Sequence, residues 1–192
     1  MPKIGEQRIK DSFCSYCGTP FHSNEYPKKC SHCKRETYSN APSVGIGLIP
    51  INDGILTVRR NIPPGIGELA LPGGYMNMGE TWEEGVAREV FEETGIVVNP
   101  KKIKLADVKT ADSGAVLIFG LAERLFLPTP LPFNNCKVEV QESLVVTTPV
   151  PLCFPHHQTM LEWYFVHHRL FQECGACKIP AHCYHYGCSQ SS

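Results

Sequence analysis

Residues 74–96, GYMNMGETWEEGVAREVFEETGI, constrain this chain more than any other stretch. Thr81 and Glu84 form the T-x-x-E pattern of a capping box, which predicts a helix starting at about Trp82. Gly95 suits the left-handed residue that closes such a helix. Along it Glu89, Glu92 and Glu93 stand at i, i+3 and i+4, crowding three carboxylates onto one face. Like charges at that spacing repel, so the cluster is unfavourable as structure alone. A hard divalent cation such as magnesium, which takes oxygen ligands, relieves it. Val86, Ala87, Val90 and Phe91 form the adjoining apolar stripe, expected to dock the helix on a sheet. A solvated acidic face would account for the glutamates. It would not account for Gly73-Gly74 upstream, for Arg88 beside the first Glu, or for Gly95.

The stretch resembles the Nudix box, G-x5-E-x7-R-E-U-x-E-E-x-G-U with U aliphatic. Gly74, Glu80, Arg88, Glu89, Val90, Glu92, Glu93, Gly95 and Ile96 match every specified position. A pattern of this length is far more specific than a lone glycine-rich triplet. The resemblance implies an α/β fold, the Nudix α/β/α sandwich with a mixed sheet. It also implies Glu92 and Glu93 as principal ligands of magnesium, or manganese in its place, joined by the backbone carbonyl of Gly73. Glu89 would bind a further metal or act as general base, and Arg88 would hold Glu89 by a charge-assisted hydrogen bond. Glu89, Arg88, Glu92 and Glu93 are therefore the expected catalytic set, with Glu80 at the mouth balancing charge. Several family members place a further carboxylate on a distant loop. Glu139 and Glu142 are candidates here, beside the alternative of a plain exposed loop.

Ten cysteines are many for a chain of this kind, and their spacing is informative. Cys14-x2-Cys17 and Cys30-x2-Cys33 have the spacing of a tetrahedral structural zinc site on two knuckles, with a disulfide pair as the alternative. Residues 13–38 resemble a zinc ribbon, too small to bury a core, so that the metal supplies its folding energy. Gly18 follows the first knuckle, where a tight turn needs it. The tail 169–192 holds Cys174, Cys177, His182, Cys183, His185 and Cys188. These read equally as a second zinc site or as loose thiols.

The chain thus divides into an N-terminal segment 1–40 with the ribbon, a Nudix domain at 41–168 and a Cys/His-rich tail. In the middle part Val44, Ile46 and Leu48 alternate with glycines as a strand does, and Asn52-Asp53-Gly54 marks a turn into a second strand at 55–60. The box is expected to start on a loop. Further strands are expected at 103–109, 115–122 and 144–150, then a helix from Pro155 with Met160, Leu161, Tyr164, Phe165 and His168 as core contacts.

A net charge of −1 argues against a general nucleic-acid binder. No run of about 18 apolar residues marks a membrane span, and the N-terminus lacks the apolar core of a secretory signal, so cytoplasm is the expected location. Carboxylate-held magnesium suits chemistry on pyrophosphates. The resemblance implies hydrolysis of a nucleoside diphosphate linked to another moiety, with a small-molecule nucleotide such as ADP-ribose, FAD or NADH as substrate. The S-Q-P-W-P-F-P-x-S signature of NADH pyrophosphatases is absent, although a ribbon ahead of a Nudix domain is familiar from that group. The alternative is a binding or regulatory protein that uses Lys28, Lys29, Lys34 and Arg35 of the ribbon for nucleic-acid or protein contact. The retained glutamates favour the enzyme. A homodimer is among the assemblies this sequence allows.

Overall fold

The computed structural model describes residues 10–128, 131 and 138–173. Cys136 and the tail residues from Cys174 to Cys188 lie outside the described residues. The chain divides into two compact units, Met1–Pro42 and Ser43–Ser192.

In the first unit β1 (Lys28–Lys29) and β2 (Glu36–Thr37) pair antiparallel. Each Cys-x2-Cys pair opens the same turn. The Gly18 N–H donates to the Cys14 carbonyl at 2.8 Å, and the Lys34 N–H to the Cys30 carbonyl at 3.1 Å. Both donors take left-handed backbone, Gly18 at φ 73° and Lys34 at φ 62°. Glycine does so without steric cost. Lys34 does so with its ammonium bonded to the Ser31 carbonyl. Cys14 and Cys30 are the buried hydrophobic residues of this unit among those described.

The second unit begins with β3 (Ser43–Leu48), β4 (Pro50–Ile51), β5 (Gly54–Arg60), β6 (Leu69–Ala70) and β7 (Gly73–Tyr75). Helix α1 (Trp82–Thr94) follows, then β8 (Lys104–Thr110), β9 (Val116–Leu121), β10 (Val140–Val146) and helix α2 (Pro155–Glu173). The strands form a mixed sheet, β7-β3-β9-β8, in which β3 and β9 are parallel. A second, antiparallel group sets β10 and β4 beside β5, with β6 also on β5. The box starts on strand β7, not on a loop: Gly73 and Gly74 pair with Ile46 and Gly45. Two glycines carry no β-propensity, and so the strand was hidden. The strand expected at 144–150 starts earlier, at Val140. Polar Gln141, Glu142 and Ser143 mask its beginning, and Pro149, which has no N–H to give a ladder, lies beyond its end.

Helix α1 forms as its sequence dictates. Thr81 accepts from the Glu84 N–H, the Glu84 side chain accepts from the Thr81 N–H, and Gly95 closes the helix at φ 72°. The period-2 pattern of β3 then sorts the two helices. Val44, Ile46 and Leu48 face a core with Leu117 and Phe119 of β9 and Met160, Leu161, Tyr164 and Phe165 of α2. Gly45 and Gly47 face the other way, toward α1. A Cβ on Gly47 would lie 2.9 Å from Val90 Cγ2, and one on Gly45 would lie 3.0 Å from Val86 Cγ2. Gly120 of β9 similarly makes room for Ile103 and Trp82. The glycines bring the helix backbone close to the sheet, and Val86 and Val90 fill the gap, fully buried. Phe91, expected in the same stripe, is half exposed. The His168 side chain lies outside the described residues.

This packing makes Gly47→Ala a direct test. A free Gly→Ala change in a strand stabilises by about 0.4–1 kcal/mol, whereas overpacking costs about 1–3 kcal/mol. Denaturant unfolding should show the second sign. Adding Val90→Ala should make the pair less destabilising than the sum of its parts, because the methyl that clashes is gone.

Candidate active site and metal centres

Arg88 organises the acidic face of α1. Its Nε donates to Glu80 Oε2 at 2.9 Å and its Nη2 to Glu80 Oε1 at 2.8 Å. Nη1 donates to Glu89 Oε1 at 2.7 Å and to Glu92 Oε2 at 3.1 Å, and Nη2 also donates to the Tyr75 carbonyl at 3.0 Å. Such a fork matches carboxylate geometry better than any other side chain. With every nitrogen engaged within the protein, Arg88 holds the glutamates. Glu80 also accepts from the Asn77 N–H. The Arg88 guanidinium, helped by that N–H, holds the Glu80 carboxyl down at about 2. The glycine of the motif is explained by contact: a Cβ on Gly74 would sit 2.5 Å from Glu89 Oε2.

Glu93 turns away from Arg88. It is partly buried, and its Oε2 accepts from the Gly73 N–H at 3.0 Å. Burial pushes its carboxyl up to about 8, with Glu89 and Glu139 adding to the shift and the Gly73 N–H opposing it. Burial also raises the Glu89 carboxyl, against the pull of Arg88. The structure gathers Glu80, Glu89 and Glu92 around Arg88 and turns Glu93 aside, so the four carboxylates do not form one compact set of oxygens. Glu89 and Glu92 turn to the guanidinium, the nearest countercharge, and Glu93 turns to a backbone amide. Hard oxygen donors, excess negative charge and a partly buried carboxyl that one amide N–H compensates fit a divalent cation.

The two candidate loop carboxylates part company. Glu139 lines the same cleft as Glu89, Glu92 and Glu93, pinned where the Asn61 N–H donates to its carbonyl at 2.8 Å. Glu142 instead pairs with Arg59 at 2.6 Å across the β5–β10 ladder. Two residues escaped sequence reading altogether. Arg60, at the end of β5, lines the cleft with its guanidinium 4.9 Å from the centroid of the Phe154 ring. His157, near the start of α2, reaches the cleft from the opposite helix. The cleft is open and about 1000 Å³ in volume. Arg60 carries no ion pair among the described residues. An Arg in a strand and a His in a helix carry no motif, and so left no signal.

The first unit holds the other centre. Cys14, Cys17, Cys30 and Cys33 place their four sulfurs within 4.8 Å of one another, with Cys14–Cys33 and Cys17–Cys30 at 3.6 Å. Sulfurs about 2.3 Å from a tetrahedral zinc stand about 3.8 Å apart, so the spacing fits a four-thiolate site. It is far from the ~2.05 Å of a disulfide bond. The structure therefore favours a metal-binding set, and the cysteines are free.

Residues 41–125 match the family model described as NUDIX domain. The chain is 34% identical over 130 residues to the NAD-capped RNA hydrolase NudC of Salmonella heidelberg, a match covering 60% of this chain and 50% of that protein. The protein of the same name from Salmonella typhi matches to the same extent. The chain thus spans about half the length of the curated relatives it matches. Among solved structures, a NUDIX hydrolase from Nitrosomonas europaea superposes with a TM-score of 0.68 at 24% identity, over 82% of this chain and 93% of that one. The NUDIX domain of Shewanella oneidensis NrtR, solved with ADP ribose, gives 0.54 at 19% identity, over 69% of this chain and 90% of that one. Both share the fold.

Two tests follow from the geometry. The folded-state value of Glu93, about 8, lies above its ordinary 4.5, so the folded protein holds that proton more tightly. Ionised Glu93 therefore costs stability progressively as pH rises from 4.5 to about 8. In magnesium-free buffer Glu93→Gln should melt close to wild type at the acid end of that window and above it at the alkaline end. A difference independent of pH would contradict this. For the thiolates, Cys14→Ser should lower the zinc content of the full chain by about one ion and expose the remaining three to thiol reagents. Unchanged zinc would remove the site.

Proposed function

We propose, for a chain whose residues 41–125 are a NUDIX domain, that it is a divalent-metal-dependent pyrophosphohydrolase. Its substrate is a nucleoside diphosphate linked to another group, such as ADP-ribose, FAD or NADH, and it releases a mononucleotide. One observation carries the reading: a single cleft sets Glu89, Glu92, Glu93 and Glu139 together with a guanidinium, Arg60, that no carboxylate pairs among the described residues. A pyrophosphate needs both. The carboxylates hold the cation, and the cation supplies positive charge against the phosphate oxygens.

The chain's own groups take definite parts. Glu92, Glu93 and the Gly73 backbone hold magnesium or manganese. Glu89 is held through Oε1 by Arg88, leaving Oε2 to assist the cation or to take the proton of an attacking water. Water oxygen joins phosphorus, the P–O bond of the anhydride breaks, and two phosphate monoesters leave. Arg88 and Glu80 position Glu89 without touching substrate. Arg60, whose Nε and Nη2 donate to the Pro64 and Ile62 carbonyls, offers Nη1 for a charge-assisted hydrogen bond to a phosphate oxygen. The four thiolates hold a structural zinc. Residues 41–168 make the catalytic domain, with 1–40 and 169–192 as appendages to it. Likeness to NAD-capped RNA hydrolases extends the substrate range to an NAD group on an RNA end, where the bond to be cut is the same.

A magnesium-dependent screen of ADP-ribose, FAD, NADH and NAD-capped RNA, with products identified by mass, tests the reading. Turnover should give a mononucleotide or a monophosphorylated RNA end. Binding of these compounds without turnover would support the regulatory alternative instead. On the best substrate, Arg60→Gln should raise KM roughly ten- to a hundredfold with a smaller change in kcat, as loss of a charge-assisted hydrogen bond does.

A further inference from the structure

The backbone of Leu71-Pro72-Gly73 lies between two strands, β6 and β7, and belongs to neither until Gly73. It is nonetheless held at three successive points by three different elements. The Pro72 carbonyl accepts from the Gly47 N–H of β3 at 2.8 Å. The Gly73 N–H donates to Glu93 of α1 at 3.0 Å. The Leu71 N–H donates to Nδ1 of His157, on α2, at 3.2 Å. Leu71 is buried, and a buried N–H outside a ladder must find another partner. An imidazole supplies it here.

We infer that His157 is a positioning residue: by accepting the Leu71 N–H it fixes the tripeptide that carries Gly73 to Glu93. Its ring is itself held, edge-on to Phe119 at 5.8 Å and tilted against Phe154 at 4.9 Å. A histidine buried only to fill the core would not need its acceptor aimed at the segment that carries Gly73 to Glu93. Because Nδ1 accepts, the ring proton sits on Nε2. Burial, with Arg60 and His156 nearby, holds the imidazole neutral down to about 3, so the acceptor persists through the working pH range.

The kinetic arm of this inference rests on the hydrolase reading above; its structural arm does not. Nitrogen NMR of the wild-type chain should find Nδ1 of His157 bare and Nε2 protonated at neutral pH, and the opposite tautomer would overturn the assignment. His157→Phe keeps the ring between Phe119 and Phe154 but removes the acceptor, while His157→Asn keeps an acceptor where Nδ1 stood. In the protein without substrate, the Leu71 and Gly73 amides should exchange at least about tenfold faster in His157→Phe and regain most of their protection in His157→Asn. On the best substrate, kcat should fall about tenfold or more in His157→Phe with KM little changed, and recover in His157→Asn. Equal exchange in all three proteins, or equal loss in both variants, would reduce His157 to a core residue. A wild type with protected amides and no turnover on any pyrophosphate would sink the hydrolase reading and leave the positioning role standing.

Discussion

Five hydrogen bonds from one guanidinium tie the acidic face of α1 to the loop before it and to strand β7. Without Arg88, Glu89 and Glu92 of the helix and Glu80 of the loop before it would repel one another, and burying any of them would carry a heavy desolvation cost. Glu93 lies outside this protection and shows what its absence does, with a carboxyl pushed up to about 8 by burial. The site thus contains one carboxyl, Glu80, whose ionised form a partner favours, and another, Glu93, whose ionised form burial disfavours. Carboxyls in environments this divergent cluster at functional sites.

That arrangement depends on how near α1 lies to the sheet. Gly45, Gly47 and Gly120 remove side chains where the helix would meet them, and Gly74 does the same beneath Glu89. The distance between helix and sheet is set by backbone and by Val86 and Val90. The same missing side chains let Gly74 pair with Gly45. Packing and chemistry share one cause here: absence of Cβ atoms along a narrow line.

Local signals made much of this legible. The capping box, Gly95 and the i, i+3, i+4 glutamates are short-range patterns, and the helix follows them to the residue. The alternating β3 pattern revealed a strand, although its glycines gave no hint that they face a helix. What sequence could not supply was long-range. Glu139 and Glu142 are three residues apart and look alike, yet one enters the cleft and the other bonds Arg59, because the β5–β10 register decides between them. Arg60 and His157 lie in unremarkable local sequence. Their importance comes from what lies across the fold from them. Phe91 shows the reverse error, an apolar residue whose position around the helix turns it outward.

The three anchors on Leu71-Pro72-Gly73 come from residues 47, 93 and 157. A growing chain leaves the ribosome from its N-terminus, so the box emerges well before the helix that supplies the last anchor. Until His157 has emerged and docked, Leu71 lacks the acceptor that fixes its backbone. The acidic face can form early, but its partner strand is secured late. Completion of the site therefore waits on completion of the second helix, a built-in delay between owning the reactive groups and holding them in register.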